Sequence, residues 1–227
     1  MPELRNRLLL ERELIEELGI ADMETRRQII ELLGEDVAAE GLPPQEWESI
    51  ASRYETVLAG RLERIFILSA VGLALLISAR TPSMAFDVGA DIQQRATAWA
   101  NQYSRDLARD LNRTSRNRVQ AAINAYRAGE IDRDVLTNII NNDVYNPARA
   151  RLIAVTEITR ANAEGEEQAL QAAGMRNGMT PVWVTARDDR TCPICQPLEG
   201  RRYGDGWTEL PPIHPGCRCF VDWIANG

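Results

Sequence analysis

The sequence predicts a mainly α protein, with an elongated helical body followed by a small β- and loop-rich C-terminal module that carries a Cys/His metal knot. Helical periodicity runs through residues 1–178, whereas residues 179–227 are dense in proline, glycine and aspartate. All four cysteines and the single histidine lie within residues 191–220. With 227 residues and 44% hydrophobic content, the chain is long enough to bury a sizeable core.

These patterns divide the chain into three successive regions. Residues 1–83 form an N-terminal helical region with a long apolar helix, which we expect to bind a partner that the sequence does not identify. Residues 84–178 form a second helical region. Residues 179–227 form the small β-rich module, which has little core of its own and therefore needs a stabilising cross-link or metal.

The N-terminal region predicts three helices. An amphipathic pattern covers residues 3–18, and Gly19 follows it as a helix terminator. Asp22 is expected to cap a second helix that runs to about residue 40. A third helix is expected to begin near Pro44 and to end at Arg80, because Thr81-Pro82 follows.

The segment from Ile65 to Ala79 is free of charged residues, and it is bounded by Arg64 and Arg80. A membrane-spanning helix needs about 20 apolar residues, and this segment is shorter. We therefore expect a helix buried in the core or against another subunit, and no membrane partner.

The second region predicts a long helix from about Ala85 to Arg127. Trp99, Tyr103 and Leu107 are spaced four residues apart and are expected to mark its buried stripe.

Local signals also predict the elements that follow. Asp132 is expected to cap a short helix, and Pro147 to begin a long helix that Gly174 terminates. Alternating apolar residues predict strands within 181–186 and 217–223.

The net charge of −7 hides a gradient along the chain. Residues 1–60 carry −8, residues 61–160 carry +4 and residues 161–227 carry −3. The basic middle part could contact phosphate, or it could be a solvated helix face whose arginines pair with interleaved acids. The candidate DNA-facing side chains are Arg105, Arg109, Arg113, Arg116 and Arg118.

The cysteine spacing is typical of a structural zinc site. Cys192 and Cys195 form a C-x2-C knuckle, and the second ligand pair must come from His214, Cys217 and Cys219. The N-terminus has no signal-peptide pattern, which favours a reducing compartment and metal over disulfides. The alternative is a pair of disulfides, such as Cys192–Cys217 with Cys195–Cys219.

A catalytic role for this cluster is not expected. A zinc-dependent hydrolase would need an open coordination position and a base, for which Asp188, Asp189 and Glu199 are the candidates. The only histidine would already serve as a ligand, and the chain has no Walker, GxSxG or GxGxxG motif. The sequence therefore predicts a protein that is not an enzyme.

The strings VTEITRANAEG, WVTARDDRTCPIC, LEG and PPIHPGCRC occur in this order. Together they resemble the phage Mu F-like head morphogenesis family, also called minor head or minor capsid proteins. The resemblance implies a virion component of the head or portal region that assembles in the host cytoplasm, in several copies per particle. It implies the portal protein and/or the major capsid protein as partners, packaged double-stranded DNA as a further contact, and a role in DNA ejection.

The resemblance also marks residues outside the zinc ligands. On the helix and in the module, the residues that match its pattern are Thr156, Glu157, Asn162, Asp189, Gly200, Pro215 and Arg218. Glu157 and Arg160 lie one turn apart, and we expect them to dock the long helix onto the module.

Overall fold

Five α-helices and one two-stranded sheet form the main regular structure of the described residues. The structure is a computed structural model, and it describes residues 2–33, 41–188 and 191–226. Asp189 and the predicted helical residues 34–40 lie outside the described residues. The helices are α1 (Pro2–Leu33), α2 (Pro44–Arg80), α3 (Ile92–Arg127), α4 (Arg133–Asn138) and α5 (Pro147–Ala172).

The predicted break at Gly19 is wrong, because α1 continues through this residue. Glycine in a helix interior costs about 1 kcal/mol relative to alanine, and burial of one continuous face outweighs that cost. Asp22 is therefore not an N-cap, and its side chain is buried. The buried face of α1 consists of Leu10, Leu14, Leu18, Ala21, Thr25, Ile29 and Leu33.

Helix α2 contains the whole apolar segment, and its predicted bounds are confirmed. One face of the segment is buried, including Phe66, Leu73 and Ile77, whereas Leu75 on another face is 67% exposed. By length and composition alone, α2 is the one helix in the described part of the chain that could cross a membrane. The core helices of globular proteins meet the same criterion.

Helix α3 begins at Ile92 rather than near Ala85, because Pro82–Met84 form a 3-10 turn and irregular chain follows it. The predicted buried stripe is also displaced. Trp99, Tyr103 and Leu107 are only half-buried. The fully buried positions lie one residue further along the chain and carry small side chains, which allow close helix packing: Ala96, Ala100, Ser104 and Ala108.

The local signals for α4 and α5 are confirmed. The Asp132 carboxylate accepts a hydrogen bond from the Val135 amide at 2.8 Å, as an N-cap does. The chain then continues as a π-helix over Ile139–Val144. Pro147 begins α5, and Gly174 follows its end with a positive φ of 66°.

The two strands are β1 (Met179–Val184) and β2 (Phe220–Ala225), and they pair antiparallel with Met179 opposite Ala225. Alternate residues of both strands are buried, among them Trp183 and Trp223. This confirms a mainly α protein with a small β module that carries the Cys/His cluster.

The chain forms two compact units, each assembled from separate segments. The first unit contains Met1–Glu11, Arg61–Ala100 and Leu152–Gly227, and the second contains Arg12–Gly60 and Asn101–Arg151. These units follow spatial compactness rather than chain order, so the three successive regions stay a prediction.

A buried charged group lies inside the second unit. The Arg149 guanidinium donates to Asp22 Oδ1 at 2.9 Å and to Ser115 Oγ at 3.1 Å, and the Tyr54 hydroxyl donates to the same carboxylate. Burial raises the pKa of Asp22, and the charge of Arg149 opposes this shift. The group is a buried, hydrogen-bonded ion pair, and we assign it a structural role.

In the first unit, α2 and α5 pack closely where Gly165 faces the backbone of Phe66. A Cβ atom at Gly165 would lie 2.3 Å from the Phe66 carbonyl oxygen, which is closer than van der Waals radii permit. Beside this position, the Ser69 hydroxyl lies 2.9 Å from Asn162 Oδ1. A glycine at position 165 is therefore required by packing.

We predict that Gly165→Ala destabilises the protein by about 1–3 kcal/mol, because the added methyl group overpacks a rigid backbone contact. Gly19→Ala is the matched control, since it also lies inside a helix but a Cβ there would meet nothing within 4 Å. This control should stabilise the protein by about 0.5–1 kcal/mol. Urea unfolding checks both values, and equal effects of the two substitutions would contradict the packing argument.

Candidate metal centre

The first half of the candidate site is a tight knuckle between Cys192 and Cys195. The Cys192 carbonyl accepts hydrogen bonds from the amides of Cys195 at 3.1 Å and Gln196 at 3.0 Å. The Cys195 amide also lies 3.3 Å from the Cys192 sulfur. These bonds turn the chain so that both thiols face the same side.

The second half is a turn formed by residues 214–217, which we call the HPGC turn. The Cys217 amide donates to the His214 carbonyl at 3.2 Å, and Gly216 has a φ of 76°. A type II turn requires a positive φ at its third position, which glycine supplies, and proline is common at its second position. The turn places His214 and Cys217 at the two ends of one tight loop.

The two halves bring their side chains together. His214 Nε2 lies 3.0 Å from the Cys192 sulfur and 3.1 Å from the Cys195 sulfur. The Cys195 and Cys217 sulfurs are 3.8 Å apart. Two groups therefore have the spacing to hold a metal ion: Cys192, Cys195 and His214, and Cys195, Cys217 and Cys219.

The donor types, thiol sulfur and imidazole nitrogen, are those that a tetrahedral metal ion takes. Bonds of about 2.3 Å to sulfur and about 2.0 Å to nitrogen separate neighbouring donors by roughly 3.5–3.8 Å. The Cys195–Cys217 sulfur distance matches the sulfur–sulfur value, whereas both distances from His214 Nε2 are shorter than the nitrogen–sulfur value, so His214 would have to move away from these sulfurs to share an ion with them. The donors form two overlapping groups that share Cys195. His214 Nδ1 lies 2.8 Å from the Pro215 carbonyl oxygen. A proton on Nδ1 would be donated to this oxygen, which leaves the Nε2 lone pair for a metal.

Hydrogen bonding and burial give the thiols of Cys217 and Cys219 pKa shifts in opposite directions. A hydrogen bond from Cys219 lowers the pKa of Cys217 to about 5. The same interaction, together with burial, raises the pKa of Cys219. The hydrogen bond from Cys219 thus stabilises the Cys217 thiolate, the form of cysteine that binds metal, and both sulfurs belong to a group with the spacing to hold an ion.

The other two cysteines of the cluster also have shifted pKa values. Burial raises the pKa of Cys195 to about 12. Burial opposes ionisation of Cys192, but the hydrogen bond from the Cys195 amide lowers its pKa. Metal binding near neutral pH would therefore release the proton of Cys195.

Two threonines of α5 hold the HPGC turn. The Gly216 amide donates to Thr156 Oγ1 at 2.8 Å, and the Thr159 hydroxyl donates to the Cys217 carbonyl at 2.7 Å. Both threonines are buried. Thr156 matches the resemblance pattern, whereas Thr159 was missed because a threonine inside a helix carries no distinctive sequence signal.

Glu157 and Arg160 form an ion pair within α5, with 3.4 Å between Arg160 Nε and Glu157 Oε2. The docking role that we predicted for this pair stays a prediction. Asn162 instead contacts α2 through Ser69 and also donates to Glu166 at 3.0 Å.

The acidic residues near the knuckle are held by arginines. Arg218 contacts both Asp188 carboxylate oxygens, at 2.5 and 2.6 Å. The Glu199 carboxylate accepts from the Thr185 amide at 2.7 Å and from the Arg187 side chain at 2.7 Å, and these bonds lower its pKa despite partial burial. Both acids therefore fix loops around the cluster. Asp189 lies outside the described residues.

Gly200 also serves the loop geometry, with a φ of 74° and an amide that donates to the Trp183 carbonyl at 2.8 Å. A left-handed conformation at this position favours glycine.

The predicted DNA-facing arginines are exposed on α3 in the second unit. Four of them line one groove of about 390 Å³ with residues of α2, among them Trp47 and Glu48: Arg105, Arg109, Arg113 and Arg116. Arg118 is not part of this lining, and its side chain lies 3.5 Å from the Asp143 carbonyl oxygen.

Three of the groove arginines have acidic neighbours. Arg105 lies 3.4 Å from Glu55, and Arg113 lies 2.9 Å from Asp110. Arg109 lies 3.8 Å from Asp106. This face therefore carries the arginines that a phosphate contact would use, and it also carries the acidic partners expected of a solvated helix face.

Comparison with known protein families gave one match. The family model described as Phage Mu protein F like protein matches residues 90–222. This range contains the Cys/His cluster and the helix that holds it. No curated protein and no solved structure matched the chain.

We predict that Cys217→Ser loses metal, whereas Cys219→Ser retains it, because of these two cysteines Cys217 is the one whose thiolate is stabilised. Metal content of the purified variants, measured by mass spectrometry, checks this difference. Cys192→Ser is the positive control for ligand loss. Retention by Cys217→Ser together with loss by Cys219→Ser would reverse the assignment.

Proposed function

The chain belongs to the phage Mu protein F-like family, which indicates a phage head morphogenesis protein, and we propose that it acts at or near the portal vertex as a minor capsid component. In this role the helices bind the portal protein, and the Cys/His module stabilises the body that presents them. The major capsid protein is the alternative partner on the same surface. Several copies would then be present in each virion.

An exposed apolar surface on α2 supports the proposal of a protein partner. Leu68, Val71 and Leu75 are spaced three and four residues apart, so they share one helix face. Their exposed fractions are 44%, 37% and 67%. We call this surface the apolar ridge. Contiguous exposed apolar side chains are typical of a binding surface.

The ion in the Cys/His cluster is proposed to be Zn²⁺ in a structural role. Three sulfur donors and one imidazole nitrogen are a frequent zinc donor set. Cys195, Cys217 and Cys219 belong to the same hydrophobic core as Trp183 of β1 and Leu170 of α5, and Cys192 packs against it. An ion bound there would connect the loops of the module to that core.

A non-enzymatic role is part of the same proposal. A hydrolytic zinc site needs a base beside an open coordination position. Asp188 and Glu199 instead have arginine partners, and the low pKa of Glu199 makes it a weak base.

Contact with packaged DNA is a second proposal, and the arginine groove of the second unit supports it. Phosphate groups would replace the acidic neighbours of the groove arginines. Arginine suits this exchange because its planar guanidinium group forms bidentate hydrogen bonds to phosphate.

The apolar ridge predicts the outcome of a capture experiment with the portal protein of the same phage. Leu75→Asp should abolish co-purification, because a charge would enter the buried interface. Val135→Asp is the matched control, since Val135 is a comparably apolar side chain, 42% exposed, on α4. The melting temperature of both variants should equal that of the wild type. Capture of the major capsid protein instead of the portal would identify the alternative partner, and unchanged capture by Leu75→Asp would exclude the ridge.

The groove predicts a salt-dependent affinity for double-stranded DNA. Replacing the four groove arginines by glutamine should make the plot of log affinity against log salt shallower by about 0.9 for each phosphate that the groove no longer neutralises. Arg27→Gln on α1 is the control, because Arg27 is exposed and pairs with Glu31. Absence of wild-type binding at low salt, or an unchanged slope, would contradict DNA binding by the groove.

A further inference from the structure

Arg7 of α1 reaches the helix that holds the HPGC turn. Its Nη2 atom lies 2.6 Å from Thr159 Oγ1, although the two residues are 152 positions apart in sequence. Burial lowers the pKa of the Arg7 guanidinium, and the negative charge of Glu11 opposes this shift. Arginine nevertheless keeps its proton in proteins, so a partly desolvated cation lies beside α5.

The Thr159 hydroxyl connects this cation to the turn. It has one proton to donate, and two carbonyl oxygens lie within reach, that of Cys217 at 2.7 Å and that of Val155 at 3.0 Å. The hydroxyl oxygen accepts from Arg7, and its own proton goes to the nearer Cys217 carbonyl. Arg7 thereby fixes the hydroxyl in the orientation that holds the backbone of a candidate ligand.

The charge of Arg7 also fits an anionic metal centre. A divalent ion with three thiolates and a neutral imidazole carries one net negative charge. The charge of Cys217 is among those that act on Arg7 and stabilise its protonated form. Arg218 is a second nearby cation, but it is paired with Asp188. Arg7 thus supplies positive charge from outside the module.

We propose that Arg7 is a positioning residue of the metal centre, which orients Thr159 toward the Cys217 carbonyl and offsets the negative charge of the ion with its ligands. Partners outside the ligand shell commonly change metal affinity 10- to 100-fold when they are removed. Arg7 lies outside residues 90–222, which the family model matches. The proposal rests on the metal-binding role proposed above.

The test measures Zn²⁺ affinity of the full chain by competition with a chromophoric chelator. Arg7→Met should weaken the affinity at least about 10-fold, whereas Arg7→Lys should restore most of it, because lysine keeps both the charge and a donor. Arg7→Gln keeps a donor without the charge and should give an intermediate affinity. Arg27→Met is the control on α1 and should bind Zn²⁺ as the wild type does. The Co²⁺-thiolate absorption should shift in Arg7→Met and remain unchanged in Arg27→Met.

A double-mutant cycle separates this role from general stabilisation of the fold. If Arg7 acts through Thr159, the losses of affinity in Arg7→Gln and Thr159→Val are less than additive when combined. Fully additive losses, or an affinity of Arg7→Gln within about twofold of the wild type, would overturn the proposal. Should Arg7→Met fail to fold, the glutamine and lysine variants still decide the question. A wild-type chain that binds no Zn²⁺ would overturn the metal centre itself, whereas metal binding without an effect of Arg7 would overturn only its positioning role.

Discussion

The attachment of the HPGC turn to α5 is the constraint on which the terminal module depends. In the described part of the module, the sheet consists of two paired strands. Its buried tryptophans share a hydrophobic core with Leu73 of α2 and Leu170 of α5. The hydrogen bonds of Thr156 and Thr159 attach the HPGC turn to α5 beside this shared core. The small module therefore does not need a large core of its own. Helices α2 and α5 contribute part of its hydrophobic core, and the Cys/His cluster brings its loops together.

This attachment gives a physical meaning to the string VTEITRANAEG. Its functional positions recur about once per helical turn, so they lie along one side of α5. Thr156 and Thr159 bind the turn, Asn162 contacts Ser69, and Gly165 allows the backbone of α2 to approach. The next residue, Glu166, accepts a hydrogen bond from the Trp223 indole at 3.0 Å. The residue types are small or polar because this side of the helix makes specific contacts with both α2 and the module.

The sequence correctly predicted those helix starts, caps and strands that depend on residues close together in the chain. Prolines at the starts of α2 and α5, the Asp132 cap and the alternation in both strands all act within a few residues, and these predictions are confirmed. The Cys/His spacing likewise predicted which side chains would converge. The break at Gly19 was wrong because burial along the whole face of α1 outweighs the helix propensity of one residue. The hydrogen bond between Arg7 and Thr159 could not be predicted, since only the tertiary fold brings residues so distant in sequence together.

The orientation of His214 distinguishes the two chemical interpretations of the cysteine cluster. Two disulfides would use all four sulfurs and would give the imidazole no role. In the structure the four cysteines are free thiols, and His214 Nε2 lies within 3.1 Å of two of them. Its Nδ1 atom faces the Pro215 carbonyl, the arrangement by which proteins orient a metal-binding imidazole. The turn that Pro215 and Gly216 form therefore serves to aim a nitrogen donor at the sulfurs. Since a disulfide needs no such donor, the geometry of the turn favours a metal ion as the link between the two halves of the cluster.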